Sequence, residues 1–232
     1  MKYFCLIIPL FISNLVSASG SLSITVPDTM EERVKACTIC HNNTDRMGRD
    51  AYYPRIAGKP AGYLFNQLKH FRDGRRYYQP MAILLENMSD EYMLEIAHYF
   101  SALQLPYPPP EEISMQPEEI KRADVLIRSG DPERNIPACQ SCHGEELMGI
   151  RPFIPGLLGL PHAYISAQFG SWRNGGVIRG RGSNCMAEIA KLLTDKEANA
   201  IAKWLAIQPV SGEPSLPGLL SHELSNRCSN ID

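Results

Sequence analysis

The 232-residue sequence has no excess of either charge, since 23 Lys and Arg stand against 25 Asp and Glu. No broad basic face follows, and with it goes the electrostatic reason to expect a nucleic-acid partner. An apolar run long enough to span a bilayer is also missing. The stretch from Tyr3 to Val16 falls short of the roughly 20 residues a spanning helix needs, and it contains Asn14. Two CxxC pairs are present, but a zinc site would typically separate them by about 15–20 residues, whereas about a hundred lie between these. Neither pair sits in the βαβ context of a thioredoxin-like redox motif.

Each pair is instead followed by histidine. Cys37-Thr38-Ile39-Cys40-His41 recurs in kind as Cys139-Gln140-Ser141-Cys142-His143, the attachment pattern of c-type haem. Two thiols at this spacing on a helical turn can form thioethers to the two vinyl groups, and the adjacent histidine then lies under the iron as its proximal ligand. Two covalently bound haem c groups are the expected cofactors. Lys2, the apolar run and Ser17-Ala18-Ser19-Gly20 have the form of an export signal cleaved after Ala18, and an uncleaved anchor is the rival reading. Export places the mature chain outside the cytoplasm, in an oxidising compartment. Of the seven cysteines, Cys5 leaves with the signal and four carry haem, so Cys185 and Cys228 remain. Such a compartment permits them to pair; their separation in sequence does not establish that they do.

The repeat extends well beyond the two motifs. Pro54-Arg55-Ile56-Ala57-Gly58-Lys59-Pro60 answers to Pro155-Gly156-Leu157-Leu158-Gly159-Leu160-Pro161, 101 residues further on, and the same offset carries Tyr63 to Tyr164, Gln67 to Gln168 and Arg72 to Arg173. One domain is used twice. Each half reads as helices between Gly/Pro loops: Pro60 and Pro161 in a helix's first turn, Gly74 and Gly175 at its C-terminal stop. Ser89 and Thr194 are predicted N-caps of a last helix running to about Gln104 or Gln208, and Thr194 with Glu197 fits a capping box. The boundaries read as a signal over 1–18, a first domain over 19–105, a Pro-rich linker over 106–116, a second domain over 117–208 and a tail over 209–232. Pro106-Tyr107-Pro108-Pro109-Pro110 makes the linker a stiff, extended spacer.

The sixth iron ligand decides between electron carriage and chemistry at an open site. Met81 lies eight residues before Ser89, and Met186 eight before Thr194, so both stand at one point of the repeat and are the candidate axial ligands. Cys185 is the rival at the second site. Met88 and Met93 align with Leu193 and Ala198 and behave as core positions. His70, His98, His162 and His222 have no histidine at the equivalent place. Two readings stand for Pro54 and Pro155: their carbonyls accept the other ring N–H of the proximal histidine, or the residues merely shape the loop. Two stand likewise for Arg72 and Arg173, which either neutralise haem propionates or end a helix in solvent.

These motifs resemble the di-haem class I cytochromes c of the cytochrome c4 type, over about Asp28 to Gln208. The resemblance rests on PRIAGKPAGYLFNQL with MAILLENMSDEYMLEIAHYF after the first motif, and on PGLLGLPHAYISAQF with MAEIAKLLTDKEANAIAKWL after the second. It implies an all-α fold of two tandem class I cytochrome c domains about an approximate twofold axis, with His41/Met81 and His143/Met186 ligation. It further implies a periplasmic electron carrier between donors such as a quinol–cytochrome c reductase and a terminal oxidase. The alternative is the cytochrome subunit of a periplasmic dehydrogenase, any membrane association running through partners. An enzyme in its own right, a di-haem peroxidase or a sulfur-compound dehydrogenase, would need an open or thiolate-ligated iron, and the paired methionines argue against it.

Overall fold

The computed structural model describes residues 26–41, 52–174 and 185–210. Its helices are α1 (Met30–Arg33), α2 (Lys35–Thr38), α3 (Ala61–Arg72), α4 (Gln79–Leu85), α5 (Asp90–Ala102), α6 (Pro117–Arg128), α7 (Cys139–His143), α8 (His162–Arg173), α9 (Cys185–Leu192) and α10 (Asp195–Ala206). The all-α architecture is the one expected, with one short addition, an antiparallel hairpin of β1 (Gly149–Ile150) and β2 (Ile154–Pro155). Gly149 makes it possible: its φ is +93°, and a Cβ there would lie 2.5 Å from the Ile154 carbonyl oxygen. Among the described residues no helix is long and apolar enough to cross a membrane.

The last helix of each half starts where the hydroxyls predict. Ser89 Oγ accepts from the Tyr92 N–H at 3.2 Å. Thr194 Oγ1 accepts from the Glu197 N–H at 3.2 Å, while Glu197 Oε2 accepts from the Thr194 N–H at 2.8 Å, a complete capping box. Pro60 and Pro161 sit one place earlier than predicted. Their ψ values of 136° and 143° are extended, so they cap α3 and α8 rather than open the first turn. Gly74 follows α3 with φ +69°, the left-handed stop that its position suggested; Gly175 lies outside the described residues. The short helices α4 and α9, which carry Met81 and Met186, were not foreseen.

Each half closes on its own apolar core. In the first, Leu64 of α3 meets Ile96, Ala97 and Phe100 of α5 and Val34 between α1 and α2. In the second, Ala123, Leu126 and Ile127 of α6 pack with Tyr164, Ile165 and Phe169 of α8 and Ile201, Trp204 and Leu205 of α10. The same clamp ties the helices together in both. Arg72 at the end of α3 donates to the Met88 carbonyl at 3.1 Å and to Asp90 at 2.5 Å. Arg173 at the end of α8 donates to the Leu193 carbonyl at 2.5 Å and pairs with Asp195.

The halves meet in part through equivalent residues. Arg76 donates to Gln67 at 2.6 Å and to Gln168, its repeat counterpart, at 2.9 Å, with the Tyr164 hydroxyl at 3.4 Å. Gly62 lets α3 approach the other half, because a Cβ there would come within 2.5 Å of the Phe153 ring. The segment after α5 is held at both ends. Arg55 donates to the Leu105 and Pro106 carbonyls at 2.5 and 2.8 Å and stacks over Tyr107 at 4.1 Å. Beyond the prolines, the Glu111 N–H donates to the Ala206 carbonyl at 3.0 Å, and the Glu111 carboxylate accepts from the His162 N–H at 3.1 Å. Lys59 crosses the interface to the Gly156 carbonyl at 2.5 Å.

One ionic knot secures the second half. Glu197 accepts from Arg122 at 2.8 Å and from Arg134 at 2.7 Å, and Asp131 bridges the same two arginines. Burial alone would raise the Glu197 carboxyl. The Arg134 guanidinium, the Thr194 N–H and Arg122 outweigh it and hold the pKa at about 2, below the ordinary 4.5. A carboxylate depressed in the folded state contributes stability that is complete above about pH 4.5 and lost as the pH falls towards 2. Replacing Glu197 by Gln is therefore expected to destabilise the second half by about 2–3 kcal/mol at pH 7. The gap from wild type should close as the pH drops through that window, measured by denaturant unfolding followed with far-ultraviolet circular dichroism.

Candidate haem sites

The histidines of the two CxxCH motifs are held by the same bond. His41 Nδ1 lies 2.9 Å from the Pro54 carbonyl oxygen, and His143 Nδ1 lies 2.8 Å from that of Pro155. A carbonyl can only accept, so Nδ1 carries the proton in both rings and Nε2 keeps its lone pair. Of the two readings open for Pro54 and Pro155, the carbonyl bond is present in each half. Burial lowers the pKa of both imidazoles, against the raising effect of the carbonyl bond, and Arg76 at His41 and Lys59 at His143 lower them further. Each ring is thus neutral and aimed, the state a metal ligand requires.

The motif cysteines lie on or directly after short helical turns. Cys37 belongs to α2 and Cys40 follows it. Cys139 and Cys142 lie within α7, which ends in His143. Burial raises the Cys37 thiol and pushes that of Cys139 up to about 12. Both stay protonated and unreactive until an attachment reaction takes them. Cys139 of the second pair and Met186 both pack against the apolar cluster of the second half. Met186 is the second residue of α9, which packs against α8, and Met81 is the third of α4, which packs against α3. The two methionines therefore enter from corresponding short helices, each half-buried. Two cysteine thiols for attachment, an imidazole nitrogen and a methionine thioether sulfur in each half form a set that fits a covalently held haem.

Other candidates take different places. Cys185 is held in a disulfide, and its partner lies outside the described residues, as does Cys228. A thiolate at the second iron is thereby removed. Arg72 and Arg173 are occupied by the loop carbonyls and aspartates described above. That clamp was legible in principle, because Asp90 and Asp195 are equivalent in the repeat just as the arginines are, but no helix contact was known to join them. Two aromatic residues were missed: Tyr53 presents its edge to His41 at 6.0 Å between ring centres, and its hydroxyl bonds that of Tyr78 at 3.1 Å. Their signal was only a tyrosine beside Pro54. Met47 and His222 lie outside the described residues.

A direct check of this donor set is the mass of the mature chain. Exported with the haem-attachment machinery, it should carry two covalent haems, and Cys37→Ala with Cys40→Ala should remove only the first. Intact-mass spectrometry showing one haem or none on the stable wild-type protein would contradict the assignment.

No family model matches the chain. It is 36% identical over 179 residues to the thiosulfate dehydrogenase electron acceptor of Thiomonas intermedia, covering 76% of this chain and 80% of that protein. It is 33% identical to the thiosulfate dehydrogenase electron acceptor of Stutzerimonas stutzeri, covering 85% of this chain and 90% of that protein. Among solved structures, cytochrome c4 of Acidithiobacillus ferrooxidans superposes with a TM-score of 0.63 at 28% identity, covering 75% of this chain and 99% of that one. The repeated motifs, the paired histidine geometry and these likenesses agree, and the chain belongs to the di-haem class I c-type cytochromes of the cytochrome c4 type, electron-transfer proteins with two covalently bound haem c groups.

Proposed function

We propose that this protein is a periplasmic carrier that accepts electrons from a partner dehydrogenase acting on thiosulfate and passes them towards a terminal oxidase. The observation that carries the reading is the histidine bond made twice, His41 to Pro54 and His143 to Pro155. Each Nδ1–H is committed to a carbonyl, so neither ring has a proton to exchange with a substrate; each has only Nε2 to offer an iron. Met81 and Met186 close the other face in this proposal, with the domains spanning 19–105 and 117–208 around a 106–116 linker. When bound, haem c supplies a one-electron ferric/ferrous couple, and methionine ligation raises its potential into the range of c-type cytochromes. The chain's own residues orient the ligands, keep them neutral and hold the two halves in fixed contact through Arg76 and Arg55.

The choice of donor rests on the relatives named as thiosulfate dehydrogenase electron acceptors. A quinol–cytochrome c reductase is the other donor class. The export-like N-terminus supports a periplasmic location. The disulfide at Cys185 weighs against the chain being itself a sulfur-compound dehydrogenase with thiolate-ligated iron. A permanent subunit of a dehydrogenase complex differs from a free carrier by co-purifying with its enzyme at fixed stoichiometry.

Stopped-flow absorption tests the proposal. Oxidised protein mixed with thiosulfate and a thiosulfate dehydrogenase should take up two electrons per chain, and thiosulfate alone should reduce it negligibly. Turnover of thiosulfate by the chain alone would make it an enzyme and overturn the reading. The axial assignment has its own check: Met186→Ala should open the second iron to cyanide, whereas Cys185→Ser should leave both low-spin spectra in place. The reverse result would move the ligand to Cys185.

A further inference from the structure

Lys59 belongs to the first half, yet its amine serves the second. The residue is buried, 6% exposed, and its Nζ donates to the Gly156 carbonyl at 2.5 Å across the interface. Gly156 directly follows Pro155, whose own carbonyl holds His143. A charged group from one repeat therefore lies one peptide from the bond that orients the proximal histidine of the other. By standard bond lengths and these two hydrogen bonds, the path from Nζ to a metal at His143 Nε2 is about 16 Å, and the direct separation is no greater than that.

The arrangement is not reciprocal. At the equivalent places the second repeat has Leu160 for Lys59 and Gly156 for Arg55, so among the described residues no buried lysine returns across the interface towards Pro54 and His41. The cation acting on His41 is Arg76, from the same half. Burying an amine is costly unless the site gains from it, and an apolar residue fills this position in the other repeat.

We propose that Lys59 is an electrostatic tuning residue for the haem of the opposite domain, its ammonium holding the second haem's reduction potential up and so drawing the electron to that site. Reduction places one additional electron on the iron, and a neighbouring cation at low effective dielectric favours that state. The inference rests on His143 being the iron ligand, as proposed above. The charged group facing Lys59 is Arg55 beside it, and the neutral His143 ring is the titratable one. Burial and then Arg55 lower the Lys59 pKa to about 7, so measurements at pH 6 find it largely protonated.

The test is potentiometry of the di-haem protein at pH 6, with the two haems resolved and assigned by NMR, in wild type, Lys59→Met and Lys59→Gln. Both variants remove the charge, but glutamine keeps a donor for the Gly156 carbonyl. Each should shift the electron-exchange equilibrium on the order of sixfold away from the second haem, as expected for a unit charge at about 16 Å and an effective dielectric of about 20. That corresponds to about 45 mV for one electron, and the first haem should move less. Wild-type potentials in Lys59→Gln would reduce Lys59 to a structural donor and overturn the proposal. Equal displacement of both haems, or unchanged potentials in both variants, would overturn it as well. Should Lys59→Met fail to accumulate, the glutamine variant decides alone. A wild-type spectrum without two low-spin haems would refute the ligand assignment itself, and with it this inference, before any variant is made.

Discussion

A buried imidazole can present one nitrogen to a metal only if its other nitrogen is satisfied, and the bond from Nδ1 to a proline carbonyl meets that constraint in both halves. Much of the local structure follows from it. The carbonyl must arrive beneath the ring some dozen residues after the motif, which requires a loop rather than a helix there. Proline suits the place because it has no N–H to satisfy and a restricted φ. In the second half the β1–β2 hairpin delivers Pro155 to that point, and Gly149 permits the hairpin.

The helices that bring the methionines depend on a second repeated device. Arg72 and Arg173 end the long helix of each half and grip the backbone just ahead of the last helix. They thereby fix the far side of α4 and α9, whose first turns carry Met81 and Met186. Because the clamp joins charged groups to backbone carbonyls at a partly buried site, it is worth more than an exposed ion pair. Ser89 and Thr194 cap the helices that the clamp positions, so one short segment per half unites cap, clamp and ligand helix.

Between the halves, symmetry holds for the neutral residues and fails for the charged ones. Gln67 and Gln168 share the Arg76 guanidinium, while Arg55 and Lys59 have no cationic counterparts. Burial against the facing tyrosine raises the Tyr63 phenol far above its ordinary value and keeps it neutral, so Arg76 and Lys59 are the charges that distinguish the two sites. Duplicated domains become inequivalent at little cost to their cores when the difference is confined to the surface they share.

The sequence by itself determined the cofactor, the tandem use of one domain and the capped last helices. These depend on residues adjacent in the chain or repeated at a constant offset: CxxCH, Ser89, and Thr194 with Glu197. Comparison of the halves also singled out Pro54 and Pro155, although it left two roles open that only the carbonyl distances resolved. The tertiary structure alone decided the occupations of Arg72, Arg173, Arg55, Lys59 and Arg76, and the tethering of the proline segment to both halves. Those partners lie from 9 to 97 residues away in the chain. A guanidinium or ammonium has no period and no local geometry that names its acceptor. It bonds whichever carbonyl the packed backbone leaves unpaired, and that is known only once the helices have docked.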